Sequence, residues 1–359
     1  VRLMAYSTIK DPSAHFQTAL HSSSGSATIT NDGNSDLQPD LIWSKARGAA
    51  YTHGLYDSNR GVTKFVSTDD QAAETTASSG FDLTSFNTDG FSTGNNQYNT
   101  ICGNTTYVAW QWKANGGTTS SNTDGSITST VQANTTAGFS IVTYTGNGTA
   151  GATFGHGLGV VPSWILVKGR DDVRNWAVYH HKNTDAPETE ILNLNNTNAT
   201  VDNANRWNDT APTSTLITIK QSGEVNVSGE KYIAYCFAEK EGYSKFGSYT
   251  GNGNADGPFV YTGFKPAWVM IKRTDSTSSW HMWDNKREDY DGNPNDSALR
   301  ADADGAENDT TDYSLDFLSN GFKLRNASDL DNNSSGTFIY MAFAESPFVS
   351  SEGVPTTAR

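Results

Sequence analysis

The stretch PSWILVKGRDDVRNWAVYHH, residues 162–181, decides the fold and is called the organising stretch below. Apolar and polar residues alternate with period two over residues 163–168 and 176–180, and a polar turn separates the two runs. This pattern predicts two short antiparallel strands. Because successive side chains of a strand point to opposite faces, one face of the first strand should carry Trp164, Leu166 and Lys168, and the other Ser163, Ile165 and Val167.

Two further copies of this stretch occur, PDLIWSKARGAAYTHGLYDSNR from Pro39 and PAWVMIKRTDSTSSWHMWDNKR from Pro266. Equivalent positions, counted from each proline, hold a lysine at position six, a histidine or tryptophan at fourteen, and an aspartate or histidine at eighteen. These are Lys45, Lys168 and Lys272; His53, Trp176 and Trp280; and Asp57, His180 and Asp284. Such self-similarity indicates three tandem repeats.

Each copy is flanked by further recurring motifs. YTGNG precedes the stretch at residues 144–148 and 249–253, with a degenerate HSSSG at 21–25, and each unit closes on an aromatic strand: YVAW (107–110), YIAY (232–235) or YMAF (340–343). The predicted organisation is an N-terminal arm (1–13), repeat 1 (14–114), a Thr/Ser/Asn/Gly-rich joint (115–137), repeat 2 (138–240), repeat 3 (241–348) and a C-terminal tail (349–359). Within the joint, SITSTVQAN alternates as a strand does.

The composition favours an all-β fold. Hydrophobic residues make up 35% of the chain, and aromatic and β-branched types supply much of that share. Short strands with frequent polar turns predict three tandem antiparallel β-sandwich repeats, jelly-roll-like and about 100 residues each. The tryptophans of the organising stretch are then expected in the core. The recurring lysines should be structural, snorkelling at strand ends, with anion or glycan contact as the alternative.

Charge and cysteine content narrow the possible partners. The formal net charge of −14 disfavours binding to nucleic acid or to an anionic membrane, and no run of eighteen apolar residues predicts membrane insertion. The two cysteines, Cys102 and Cys236, fall in different units and imply no disulfide framework.

The succession DLIWSKAR, LYDSNRGVTK, YVAWQWKANGG, NTDGSIT and GFSIVTYTGNGTAGATFGHGLGVVP, followed by WAVYHH, resembles a family of repeated domains in virion proteins of marine tailed bacteriophages. Its members are tail-fibre-like or head-fibre-like. The resemblance implies a β-sandwich module displayed on a particle, and it carries no agreed set of catalytic residues. Repeat 1 departs from the pattern, since HSSSG replaces YTGNG and His53 replaces the tryptophan.

Few residues qualify for a binding site. Trp207 stands alone among Asn and Asp residues and is a candidate for contact with a glycan. His180 ends the second predicted strand of the organising stretch and is a candidate for binding a ligand. The segment EDYDGNPND places Asp289, Asp291, Asn293 and Asn295 at alternate positions, the oxygen spacing of a calcium loop. Solvated acidic turns are the alternative, and no other cofactor is expected. A zinc site at His180 and His181 is disfavoured, because neighbouring strand residues face opposite ways.

The resemblance to phage virion domains implies a non-enzymatic structural component of a phage particle. The expectation is a fibre or decoration protein on the tail or capsid, assembled in the host cytoplasm and attaching the particle to a host-surface glycan. Its expected partners are other virion proteins and further copies of itself, because symmetric oligomers multiply weak contacts. A secreted carbohydrate-binding protein or non-catalytic binding module is the alternative.

Overall fold

The computed structural model describes residues 7–287, 292–309 and 311–349, and the fold of this part of the chain is all-β. Within these residues, twenty-eight strands form six sheets. The sheets pair as one large and one small sheet in three successive stretches of chain, called sectors 1, 2 and 3 below. Three short 3₁₀ helices cover Pro12–Ala14, Pro187–Thr189 and Thr311–Tyr313.

Sector 1 contains β1 (Phe16–His21), β2 (Ala27–Ile29), β3 (Leu41–Ala46), β4 (Gly54–Asp57), β5 (Lys64–Val66), β6 (Thr75–Thr76), β7 (Leu83–Phe86), β8 (Phe91–Thr93) and β9 (Tyr107–Trp112). Its large sheet has the order β1-β9-β3-β4-β5-β6, and its small sheet β2-β8-β7.

Sector 2 contains β10 (Ser120–Asn122), β11 (Ser129–Asn134), β12 (Phe139–Thr145), β13 (Ala152–Gly155), β14 (Trp164–Gly169), β15 (Ala177–His180), β16 (Glu190–Asn193), β17 (Val201–Asp202), β18 (Leu216–Ile219) and β19 (Lys231–Phe237). Its large sheet runs β10-β11-β12-β19-β14-β15-β16-β17, and β13 pairs with β18. Strands β10 and β11 come from the segment predicted as a joint.

Sector 3 contains β20 (Ser244–Thr250), β21 (Phe259–Tyr261), β22 (Phe264–Arg273), β23 (Trp280–Asp284), β24 (Ser297–Arg300), β25 (Asn308–Asp309), β26 (Leu315–Leu318), β27 (Gly321–Leu324) and β28 (Thr337–Pro347). The large sheet has the order β20-β28-β22-β23-β24-β25, and the small sheet β21-β27-β26. The central strand order of sector 3 is therefore that of sectors 1 and 2.

The organising stretch folds as its alternation predicts. Strands β14 and β15 pair antiparallel, with Trp164 opposite His180. Every residue of β14 is buried, because both faces of the large sheet are covered. Ile165 and Val167 lie in a core between the two sheets of sector 2, whereas Trp164 and Leu166 join a different cluster. The period of two thus assigns the side chains to two separate cores.

That different cluster lies where the three large sheets meet. It contains tryptophans from all three sectors, among them Trp43, Trp110, Trp112, Trp164, Trp176, Trp268 and Trp280. Ring contacts cross directly between sectors, as between Trp112 and Trp268 (5.8 Å) and between Trp164 and Trp280 (6.4 Å). Sectors 1 and 3 also touch each other, so the units close into a ring instead of following one another in a row.

The third closing motif was aligned wrongly from the sequence. Trp112, Phe237 and Phe343 lie opposite the equivalent residues Leu41, Trp164 and Trp268. In sector 3 the structural counterpart of YVAW is therefore FIYM, residues 338–341, and not YMAF two residues later. A shift of two keeps every side chain on its original face, so the hydrophobic pattern alone could not detect it.

Candidate functional site at the three seams

The recurring lysines cross from one sector into the next. Lys168 Nζ donates to Gln71 O of sector 1 at 3.0 Å, Lys272 Nζ to Thr197 O of sector 2 at 3.0 Å, and Lys45 Nζ to Asp304 O of sector 3 at 3.0 Å. Below, the places where these contacts form are the 1–2 seam, the 2–3 seam and the 3–1 seam, respectively. The same contact made in each sector closes the ring.

These lysines do not snorkel to solvent as predicted. Each is fully buried, and burial lowers the pKa of Lys45, Lys168 and Lys272 to about 8. Each ammonium also donates to a carbonyl of its own sector: Ala46 O, Arg174 O or Ser278 O. A buried ammonium is tolerated because two carbonyl oxygens replace its water.

The residue at position fourteen of each copy makes a second contact with the same neighbouring sector that the lysine contacts. Trp176 Nε1 donates to Ser67 O (2.6 Å), Trp280 Nε1 to Asn193 O (2.9 Å), and His53 Nε2 lies 2.9 Å from Arg300 O. His53 Nδ1 accepts from Trp43 Nε1, which places the imidazole proton on Nε2. His53, which departs from the sequence pattern, therefore makes the same ring N–H to carbonyl contact as Trp176 and Trp280.

Two seams hold a buried cluster of charged side chains. At the 1–2 seam, Arg60 bonds Asp57 (2.5 Å) and Glu74 (3.1 Å), and Glu74 accepts from Arg170 of sector 2 (2.7 Å). Tyr235 of sector 2 donates its hydroxyl to Asp57 at 2.7 Å. Burial opposes the charge of Arg60, but Asp57, Tyr235 and Glu74 together outweigh burial and raise the pKa of the guanidinium. The guanidinium of Arg60 therefore stays charged although it is buried.

The 3–1 seam repeats this cluster with other residues. Arg287 bonds Asp284 (2.6 Å) and Glu307 (3.0 Å), and Glu307 accepts from Arg47 of sector 1 (2.7 Å). Trp110 Nε1 of sector 1 donates to Asp284 at 2.9 Å. Burial opposes ionisation of Glu307, yet the hydrogen bond from Arg47 and the charge of Arg287 lower its pKa.

The 2–3 seam is neutral at the same positions. The equivalents of the aspartate, the first arginine and the glutamate are His180, Asn183 and Thr200, and Thr200 donates its hydroxyl to Asn183 at 2.7 Å. His180 Nδ1 accepts from Lys182 N–H, so Nε2 donates to Tyr340 O at 3.1 Å. Burial lowers the pKa of His180 to about 3, which keeps the ring neutral at pH 7.

The structure buries both residues predicted to bind a ligand. Trp207 is 1% exposed, packed in the core of sector 2 with Tyr179 against it, and His180 is 2% exposed at the 2–3 seam. Neither side chain presents a ring face to solvent. The polar residues around Trp207 belong to turns next to a buried ring. Composition alone cannot distinguish such a ring from an exposed one.

The predicted calcium loop is described only in part. Asp289 and Asp291 lie outside the described residues. Asn293 pairs its amide with the main chain of Phe317, and the buried Asn295 donates to Asp284 O. These contacts give both asparagines a structural role. Within residues 7–287, 292–309 and 311–349, no group of three or more His, Cys, Asp or Glu is placed to hold a metal ion.

Sequence reasoning missed the arginines of the charged clusters. Arg60 and Arg287 stand at position twenty-one of their copies, within DSNR and DNKR. An aspartate three residues before an arginine, present in two copies and absent from the third, was the available signal. The glutamates that complete the clusters follow at unequal distances, and their partners come from other sectors.

The 3–1 seam also contains a cavity of about 180 Å³. Its lining comes from both sectors: Ser13, Phe16, Gln17, Thr18, Asp32, Gly33 and Asn34 of sector 1 with its lead segment, and Ala267, Asn285, Lys286, Ala344 and Glu345 of sector 3. Strand β1 forms one wall, at the edge of its sheet.

A family model described as a domain of unknown function, DUF7483, matches residues 11–347. The chain belongs to this family. The match runs through all three sectors without interruption. No curated protein and no solved structure matches the chain. Among the described residues, no helix is long and apolar enough to cross a membrane.

Proposed function

We propose that this chain is a structural, non-catalytic component of a tailed-bacteriophage particle, displayed on the tail or capsid as a fibre or decoration protein. One observation carries the proposal: the polar residues that recur in the copies, foremost the buried lysines, are engaged in holding the ring closed. Recurring residues of an enzyme or receptor would instead converge on an open site.

The resemblance of the organising stretch and its flanking motifs to phage virion domains supports a location on the particle. A ring of three similar sectors also suits attachment where three copies of another protein meet, because each sector can contact one copy in a similar way. Other virion proteins, and further copies of this chain, are therefore the proposed partners.

Particle association can be measured directly. Particles from the culture that carries this gene are purified on a density gradient, labelled with antibody to the recombinant protein, and imaged by cryo-EM. The proposal expects label at a fixed place on the particle and a three-sector density there. Antigen found only in the particle-free fractions overturns it.

The cavity at the 3–1 seam favours a second candidate, a carbohydrate-binding protein that works away from any particle. The gradient separates the two. A sugar-binding protein recovered free of particles fits this second candidate, and one that remains with the particles fits a host-glycan attachment role on the virion.

A further inference from the structure

We propose that the cavity at the 3–1 seam binds one neutral sugar residue, with Thr18 as its central polar contact. This inference rests on the proposed function only in assigning the sugar to a host-surface glycan. The binding itself is argued from the three seams, which provide an internal comparison.

The three seams differ in the side chain that fills this place. Thr18 lies opposite Trp110 in its sheet, just as Ile141 lies opposite Tyr235 and Phe246 lies opposite Met341. Ile141 and Phe246 are buried apolar residues of the central cluster. The smaller, polar Thr18 stands where the other sectors have a large hydrophobe, and beside it lies the cavity.

The hydroxyl of Thr18 has no protein partner. The residue as a whole is 6% exposed, and its Oγ1 is buried and makes no hydrogen bond within the protein. Leaving a buried hydroxyl unpaired costs roughly 1–3 kcal/mol. A ligand that forms a hydrogen bond with this hydroxyl would remove that cost. Thr18 lines the cavity, so rotation about its χ1 bond can turn the hydroxyl from its buried position towards the cavity, where a ligand hydroxyl can pair with it.

The main-chain N–H and C=O of Thr18 also lack side-chain partners of the kind that bond the equivalent main chain at the 2–3 seam. There, Phe246 N–H donates to Glu239 and Phe246 O lies 2.6 Å from His181 Nε2. At the 3–1 seam the equivalent residues are Glu345 and Asn285, and they bond each other at 2.7 Å. The edge of β1 at Thr18 is thus left for a ligand with both donors and acceptors.

The walls of the cavity match the chemistry of a sugar. Phe16, Ala267 and Ala344 supply apolar surface for the C–H face of a ring. The charges at the rim are already paired, Asp32 with Lys286 and Glu345 with Lys265, each at 2.8 Å. A balanced rim favours a neutral polyhydroxyl ligand over an ion.

The volume sets the size of the ligand. A cavity of about 180 Å³ corresponds to roughly six waters at about 30 Å³ each. Drug-sized ligands occupy pockets of about 300–1,000 Å³, so the cavity takes a single pyranose. With about 0.3 kcal/mol per non-hydrogen atom, one hexose should bind with a Kd on the order of 1 mM.

Saturation-transfer NMR on the recombinant chain tests the proposal with glucose, galactose, mannose, N-acetylglucosamine and N-acetylgalactosamine, each at millimolar concentration. At least one sugar should receive saturation from the wild type. Thr18→Ile, which copies Ile141 of sector 2, should abolish the signal. Thr18→Val keeps the shape and removes the hydroxyl, so binding should weaken roughly 3- to 10-fold. Thr130→Ile, at an exposed strand threonine of sector 2, is the matched control and should bind as wild type.

The proposal is overturned if none of the five sugars receives saturation, or if the folded Thr18→Ile variant binds as well as wild type. Should Thr18→Ile not fold, an unchanged affinity of Thr18→Val overturns it equally. These results are independent of the particle experiment. Sugar binding without particle association refutes only the virion proposal, and particle association without sugar binding refutes only the sugar site.

Discussion

The 1–2 seam and the 2–3 seam join the same strands in the same geometry with opposite chemistry. The first buries Asp57, Arg60 and Glu74 against Arg170, whereas the second places His180, Asn183 and Thr200 at the corresponding positions. In the charged seam the facing residue is Tyr235, which donates to the aspartate. In the neutral seam it is Met341, which has no proton to donate. An interface of this shape thus accepts either chemistry, provided that the whole set changes together.

Removal of one buried charge should separate the stabilities of the two seams most strongly. Asp57→Ala leaves Arg60 buried without its closest partner, and losing one member of a buried pair costs about 3–5 kcal/mol. His180→Ala removes a neutral buried ring and its hydrogen bond, but it leaves no buried charge without a partner, so it should cost less, about 1–3 kcal/mol. Urea unfolding of both variants measures the free energies. Equal losses would show that charge does not distinguish the two seams.

Transplanting the complete neutral set into the charged seam should restore much of the lost stability. The variant Asp57→His/Arg60→Asn/Glu74→Thr, combined with Tyr235→Met and Arg170→Thr, leaves no guanidinium of the cluster unpaired, because Arg170 would otherwise lose Glu74. We expect it to unfold at higher urea concentration than Asp57→Ala, despite carrying five substitutions. A quintuple variant less stable than the single one would contradict the exchange of whole sets.

The lysines should contribute alike at charged and neutral seams, because their partners are main-chain carbonyls in each. Lys168→Met and Lys272→Met each leave two buried carbonyls without the ammonium and should cost about 2 kcal/mol. Lys231→Met, at a largely exposed lysine, is the control and should change stability by less than about 0.5 kcal/mol. A cost at one seam alone would rule out a common role.

Acid should act on the histidine of the neutral seam. Burial disfavours the charged ring and lowers the pKa of His180 to about 3 in the folded chain, against the ordinary histidine value of about 6.5. Between these values the unfolded chain binds the proton and the folded chain does not. The free energy of unfolding therefore falls as pH is lowered from 6.5 towards 3, by about 1.4 kcal/mol per pH unit for this residue.

His180→Gln should reduce that slope, measured by urea unfolding at several pH values. Glutamine does not titrate and its amide can still donate to the Tyr340 carbonyl. If the slope of the variant equals that of wild type, the seam does not hold the histidine in its neutral form.

Salt should have the smallest effect. Asp57 and Arg60 are fully buried at their side chains, so mobile ions screen their attraction little. The stability difference between wild type and the quintuple variant should change by less than about 0.5 kcal/mol between 0.1 and 1 M NaCl. A larger change would mean that solvent enters the charged seam.

The sequence was sufficient for what depends on neighbouring residues. Period-two alternation correctly assigned Trp164 and Leu166 to one face and Ile165 and Val167 to the other. It could not reveal that the tryptophan face meets two other sheets, since that core joins residues hundreds of positions apart. The partners of Lys45 and Lys168 were hidden for the same reason, because they are main-chain carbonyls of another sector and leave no side-chain signature.

The candidate site was less predictable still. Trp207 and His180 were chosen for chemical type, and both proved to be buried packing residues. Thr18 carries no motif, and its interest arises only from comparison with Ile141 and Phe246 at equivalent positions. That comparison requires the strand registers, which the sequence left in error by two residues in sector 3.

The ring is made from one chain, and this frees its sides from being identical. In a homotrimer every substitution appears three times, so a single neutral seam or a single cavity could not exist. Here each side can change alone while the shared lysine contacts keep the ring closed. A threefold-symmetric partner could bind this ring in three orientations related by a one-third turn. The chemical differences among the three sides would determine which orientation binds most tightly.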